Sequence, residues 1–155
     1  GAYAELFDGD EVFWRSTALL HDFDYEMHPT RDKHPQDGAP ILRQGGYPEE
    51  LIAAVLSHAA HLGLPRDTPL KRTLFACDEL SGCIHACGLV RPEGIETLTP
   101  KSVKKKLKTR SIAAAVDRAD IALSIEELEV EGADNNQACI DALRAQGERL
   151  GLTAI

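Results

Sequence analysis

No stretch of this chain is apolar for long enough to cross a bilayer, and no basic segment followed by an apolar one opens it as a secretory leader would. A helical membrane protein is therefore not expected, and a cytoplasmic one is. Its four cysteines form no CxxC pair, and Cys77, Cys83 and Cys87 fall within one expected helix, where neighbouring positions rarely permit a disulfide. Cys83 and Cys87 flank His85, but spacing and helical context fit small packing residues better than a zinc site. Positive charge is also short: 17 Lys and Arg stand against 25 Asp and Glu, a net charge of −8. A general nucleic-acid binder needs a basic surface to displace counterions, so that class is excluded. A phosphate ligand would have to be met locally, by a metal or a small basic patch. Strand alternation, repeats and low-complexity segments are missing as well.

What remains is helix. Ala and Leu dominate the apolar set, and 155 residues suit one compact domain, so we expect an all-α bundle of about six to eight helices spanning residues 1–155. "GAYAELF" reads as the tail of a helix that begins upstream, because Tyr3, Leu6 and Phe7 have helical spacing with no cap before them. "EVFWRSTALLHDF" places Val12, Phe13, Ser16, Leu19 and Leu20 at helical spacing and predicts an end near Asp22 to Tyr25. "MHPTRDKHPQDGAP" is loop, with a short helix from about Asp37. "PEELIAAVLSHAAHLG" predicts one helix from Pro48 to Gly63, with His58 on its apolar stripe. A longer helix is expected from Thr68 to Arg91, stopped by Pro92. "PKSVKKKLKTR", "SIAAAVDRADIALSIEELEV" and "ADNNQACIDALRAQGERLGL" complete the set.

Several polar residues stand where packing alone would prefer something else. His21 and Asp22 end a helix, His58 lies on an apolar stripe, and Asp78 lies on or beside another. Burying ionisable groups costs several kcal/mol unless they are paired or hold a metal. One shared metal would satisfy them all, and imidazoles with carboxylates suit borderline divalent ions such as Fe, Mn, Zn or Co. His34 is a fifth candidate. Each has a plainer reading: His21 as a cation at the negative end of a helix, His34 as an exposed loop residue, His58 as a satisfied core histidine, Asp78 paired with Lys71 or Arg72.

"LLHDFDYE", "HPQDGAPIL", "AVLSHAAHLG" and "LFACDELSG" together resemble the HD-domain superfamily of metal-dependent phosphohydrolases, in particular its small bacterial stand-alone members. The likeness runs from about Leu19 to Arg91 and continues through "PKSVKKKLK" and "VDR". The resemblance implies a first metal at His21, Asp22 and Asp78, with Asp22 bridging to a second held by His34 and His58. His61 would be a lesser ligand or line the pocket. It also implies a histidine on an upstream helix, and no histidine precedes His21 here. The activity implied is hydrolysis of a phosphomonoester or phosphodiester in a small nucleotide-like substrate, with one or two divalent ions (Fe, Mn, Co, Zn or Mg). Arg72 or Lys71, with Lys104, Lys105, Lys106 and Arg110, are candidates to contact phosphate. Three rivals stay open: a catalytically impaired module that binds metal or nucleotide, a structural metal site with no open coordination position, and the diiron oxygenases of a related branch.

Overall fold

A computed structural model describes the chain except for residues 110, 112, 115 and 155. Among the described residues there are eight α-helices, a 3₁₀ turn and no strand, so the chain is all-α as expected. Chain contacts divide it into two compact units, Gly1–Phe75 and Ala76–Ile155.

The first unit opens with α1 (Ala2–Leu6) and α2 (Glu11–Leu20). Asp10 caps α2 by accepting the Phe13 N–H at 2.9 Å, and Glu11 favours the positive helix end. The buried side of α2 is not the one that a count of apolar residues selects. Val12 and Leu19 are 76% and 82% exposed, whereas Phe13, Thr17 and Leu20 turn inward. Thr17 is wholly buried and satisfies its hydroxyl by donating to the Phe13 carbonyl. Phe13 and Leu20 pack on a core of Ala39, Leu42, Leu51, Ile52 and Val55, supplied by α3 (Ala39–Gln44) and α4 (Glu49–Ser57).

α4 is shorter than expected. Its last carbonyls are taken by side chains: the Ser57 hydroxyl donates to Ala54, the His58 ring to Val55, and the Arg66 guanidinium to Ser57. Such bonds compete with the helical ladder. The chain breaks at Ala59, resumes as a 3₁₀ turn (Ala60–Leu62) and leaves through Gly63 at φ +60°, which a side chain would strain. Arg66 also lies 3.8 Å over the Phe75 ring.

α5 (Pro69–Leu89) begins in the first unit and continues into the second. There Leu80, Cys83, Ile84 and Cys87 form an i, i+3, i+4, i+7 face, joined in one core by Ile95, Leu98, Val103, Cys139, Ile140 and Leu152. The cysteines are free thiols, and all but Cys77 are buried. α6 (Pro100–Leu107) starts on a capping box between Thr99 and Ser102. α7 (Arg118–Leu128) begins later than expected, because Asp117 caps it by accepting the Ala119 N–H. The Arg118 guanidinium meanwhile takes the Leu107, Ala113 and Val116 carbonyls, which a continuing helix would have used. α8 (Gly132–Arg144) also stops short of the expected Leu152: the chain reverses so that the Leu152 N–H reaches the Gly147 carbonyl. Leu152 then accepts from the Ile95 N–H at 2.8 Å beside Gly94, where an added Cβ would fall 2.0 Å from that carbonyl oxygen.

Candidate metal centre

Within the first unit three histidines and a carboxylate converge, and each imidazole is oriented by a bond to its Nδ1. His21 is the C-cap of α2, and its Nδ1–H donates to the Ala18 carbonyl at 2.7 Å. His58 is the C-cap of α4, with Nδ1–H donating to the Val55 carbonyl. His34, from the loop before α3, has its Nδ1 2.9 Å from Asp24 Oδ1. A carbonyl or carboxylate oxygen can only accept, so the proton sits on Nδ1 in all three neutral rings and the lone pair on Nε2.

Those Nε2 atoms point at Asp22. Its Oδ1 lies 3.2 Å from His34 Nε2 and 3.4 Å from His58 Nε2, and the two nitrogens are 3.3 Å apart. Its Oδ2 is 3.4 Å from His21 Nε2. The two oxygens thus face different imidazoles, a disposition suited to bridging. Two donors bonded at about 2.0–2.1 Å to one tetrahedral ion stand about 3.3–3.4 Å apart, so Asp22, His34 and His58 have the separations of donors that share an ion. Without a cation, lone pairs would face one another and a carboxylate at these distances, which is repulsive.

Exposure is graded across the site. His58 is buried, the His34 and His21 side chains are 12% and 21% exposed, and Asp22 is 49% exposed. The imidazoles form a wall, and the carboxylate edge stays open to solvent. Partial burial works to raise the Asp22 carboxyl, but His21 and His58, when their Nε2 atoms carry a proton, outweigh it through hydrogen bonds and charge and hold the group well below the usual carboxylate range. Asp22 is therefore a carboxylate, ready to ligate, throughout the neutral range. Ring contacts stiffen the wall, with His21 edge-on to His58 at 5.1 Å and Tyr25 edge-on to His34 at 5.3 Å.

Asp24 is the residue that sequence reasoning missed. It is fully buried, Oδ1 holds His34, and Oδ2 has no hydrogen-bond partner. A carboxylate behind a ligating imidazole is the usual outer partner of a metal-bound histidine, fixing its tautomer and raising its basicity. Gly38 makes room for it, since a Cβ there would stand 2.6 Å from Asp24 Cγ and Oδ2. The available signal was the second acid of "HDFD", two residues beyond Asp22.

Of the other expected residues, His61 lies exposed on the 3₁₀ turn and joins no ligand cluster among the described residues. The break of α4 at Ala59 removes it from the helical turn on which it was expected to follow His58. Asp78 is half-buried on the part of α5 that belongs to the second unit. Lys71, its alternative partner, bonds Asp67 at 2.8 Å instead. Arg72 is half-buried on α5, Lys104, Lys105 and Lys106 lie on α6 of the second unit, and Arg110 falls outside the described residues. Compared with known proteins, the chain matches no family model, no curated protein and no solved structure.

Proposed function

We propose that this chain is a metal-dependent phosphohydrolase that cleaves a phosphomonoester or phosphodiester bond in a small nucleotide-like substrate. The observation that carries the metal part is the convergence of Asp22 with the unprotonated Nε2 atoms of His21, His34 and His58 at ligand-to-ligand separations. The choice of phosphate hydrolysis follows from the resemblance of "LLHDFDYE" and its companion motifs to the HD-domain enzymes.

Asp22, His34 and His58 would hold one ion, and His21 with the second oxygen of Asp22 would begin a site for another. The resemblance adds Asp78 to the candidate metal ligands. An imidazole-rich set suits Zn, Mn, Fe or Co better than Mg. A bound divalent ion supplies Lewis acidity toward phosphate oxygens and lowers the pKa of a water toward neutrality. The chain's own residues do the rest. Backbone carbonyls at two helix ends and the Asp24 carboxylate hold the rings in one tautomer, so no reorganisation is needed when charge develops. The exposed edge of Asp22 leaves a way in for substrate. Lys104, Lys105, Lys106, Arg72 and Arg110 are the candidate phosphate contacts, and single alanine variants rank them by KM.

The test pairs elemental analysis with an activity panel. Purified chain is expected to bind at least one divalent ion and to hydrolyse some phosphate ester with Mn²⁺, Fe²⁺ or Co²⁺, and Asp22→Ala, His34→Ala and His58→Ala to lose both. Asp78→Ala tests the ligand carried by resemblance alone. Metal retained in Asp22→Ala would overturn the site. Metal binding with no turnover of any phosphate ester would leave a binding module in place of an enzyme, and dioxygen consumption in its stead would point to the oxygenase branch.

A further inference from the structure

The second unit holds a groove of about 840 Å³ whose walls are α6, α7 and the first turn of α8. Its volume is that of a small-molecule site, far larger than a single phosphate or carboxylate requires. Leu107, Ile121 and Ile125 give it an apolar floor. Along one rim, Lys101, Lys104 and Lys108 follow the i, i+3, i+7 spacing that sets side chains on one helix face, all three exposed and none with an ion-pair or hydrogen-bond partner among the described residues. Glu131 is the single acid on the lining. In a chain of net charge −8, a rim with three unpaired lysines and one acid is a local reversal of sign. Arg118 also lines the groove, but its guanidinium is engaged by backbone carbonyls and belongs to the fold.

Asn136 adds an independent sign. It is 8% exposed, lies on the groove wall in α8, and its side-chain amide makes no hydrogen bond among the described residues. Its polar atoms are not sealed from solvent and open onto a groove with room for a polar partner. Apolar floor, cationic rim and a waiting amide together describe a ligand with an apolar body and an anionic, hydrogen-bonding head.

We propose that the groove between α6, α7 and the start of α8 binds a free amphiphilic anion, a carboxylate or phosphate head on an apolar body of acyl-chain size. Lys101, Lys104 and Lys108 meet the head, Leu107, Ile121 and Ile125 the body, and Asn136 bonds a polar atom of the ligand. The proposal does not use the metal centre, and Lys104 is the one residue it shares with the candidate phosphate contacts named above.

The test titrates the full chain, in EDTA, with decanoate, and with decanol and decyltrimethylammonium as neutral and cationic controls. A carboxylate probe in chelator keeps the result separate from any phosphate hydrolysis. One saturable decanoate site is expected, at least about fivefold tighter than decanol, with no cation binding. The K101A/K104A/K108A variant, altered only at exposed positions, is expected to keep its thermal midpoint and to bind decanoate no better than decanol. Ala122→Trp, which fills the groove from an exposed helix position, is expected to weaken both. Equal binding of all three probes would reduce the groove to an apolar patch and overturn the proposal. Binding only to vesicles of anionic phospholipid would overturn it in favour of a membrane surface, and a self-association abolished by K101A/K104A/K108A in favour of a second copy.

Discussion

Replacing Asp24 with Asn should move stability and metal affinity in opposite directions. The carboxylate is fully buried, bonds one imidazole through Oδ1 at 2.9 Å and leaves Oδ2 without a partner. In the metal-free protein it is a buried charge with one neutral donor for company, an arrangement that costs stability. Asparagine keeps the shape, and its carbonyl still accepts from His34 Nδ1, so the ring stays oriented while the charge is removed. Urea denaturation in chelator should therefore show Asp24→Asn as stable as the parent or more stable, by up to about 3 kcal/mol. Metal binding should weaken, because the imidazole loses the anion that raises its basicity, and outer carboxylates of this kind are worth about 10- to 100-fold in affinity. Calorimetric titration of Zn²⁺ or Co²⁺ measures that term. A variant that is less stable without metal yet binds it with unchanged affinity would show that Asp24 is a structural residue, and would remove the outer half of the proposed site.

Gly38→Ala probes the same carboxylate from behind: φ there is an ordinary −74°, so any penalty must come from the Cβ displacing Asp24, and about 1–3 kcal/mol of stability with a parallel loss of metal affinity is expected in the two titrations. Saturating metal at about 100 times its Kd should raise the thermal midpoint of the parent by roughly 5–10 °C and that of Asp22→Ala not at all, as followed by circular dichroism. His58→Ala should abolish metal binding while His61→Ala leaves it intact; equal losses would place the exposed His61 in the site after all. Gly94→Ala should cost about 2–3 kcal/mol in denaturant unfolding, through positive φ and the lost Ile95 to Leu152 hydrogen bond, with metal affinity unchanged.

Residue type alone makes part of this arrangement legible. His21, Asp22, His34 and His58 are ligand chemistries placed where packing has no use for them, and the fold brings these four together. Asp24 is illegible because an acid in "HDFDYE" reads as a solvated loop residue; its burial arises only when the loop folds against Gly38. α2 carries apolar residues on more than one side, and the packing of Phe13 and Leu20 on α3 and α4 decides against Val12 and Leu19, a choice that periodicity cannot make. The end of α4 escapes the sequence for a different reason. Propensity favours continuing through "SHAAHLG", but Ser57, His58 and Arg66 claim the carbonyls that the next turn would have needed.

That last competition ties the fold to the site. A histidine at a helix C-terminus has a plain explanation in the negative end of the helix dipole, and His21 and His58 both occupy such ends. The plain explanation and the metal explanation are one device. A terminal carbonyl three residues back, left over because the helix stops, accepts the Nδ1 proton, fixes the ring plane and leaves the Nε2 lone pair facing outward. The helix end thus performs for His21 and His58 the service that a buried carboxylate performs for His34. It does so without burying an extra charge, so only the loop histidine, which has no helix end behind it, needs an acid of its own. On this reasoning, extending α4 by removing the competing hydroxyl in Ser57→Ala should disorient the His58 ring and weaken metal binding in the calorimetric titration, although residue 57 touches no metal.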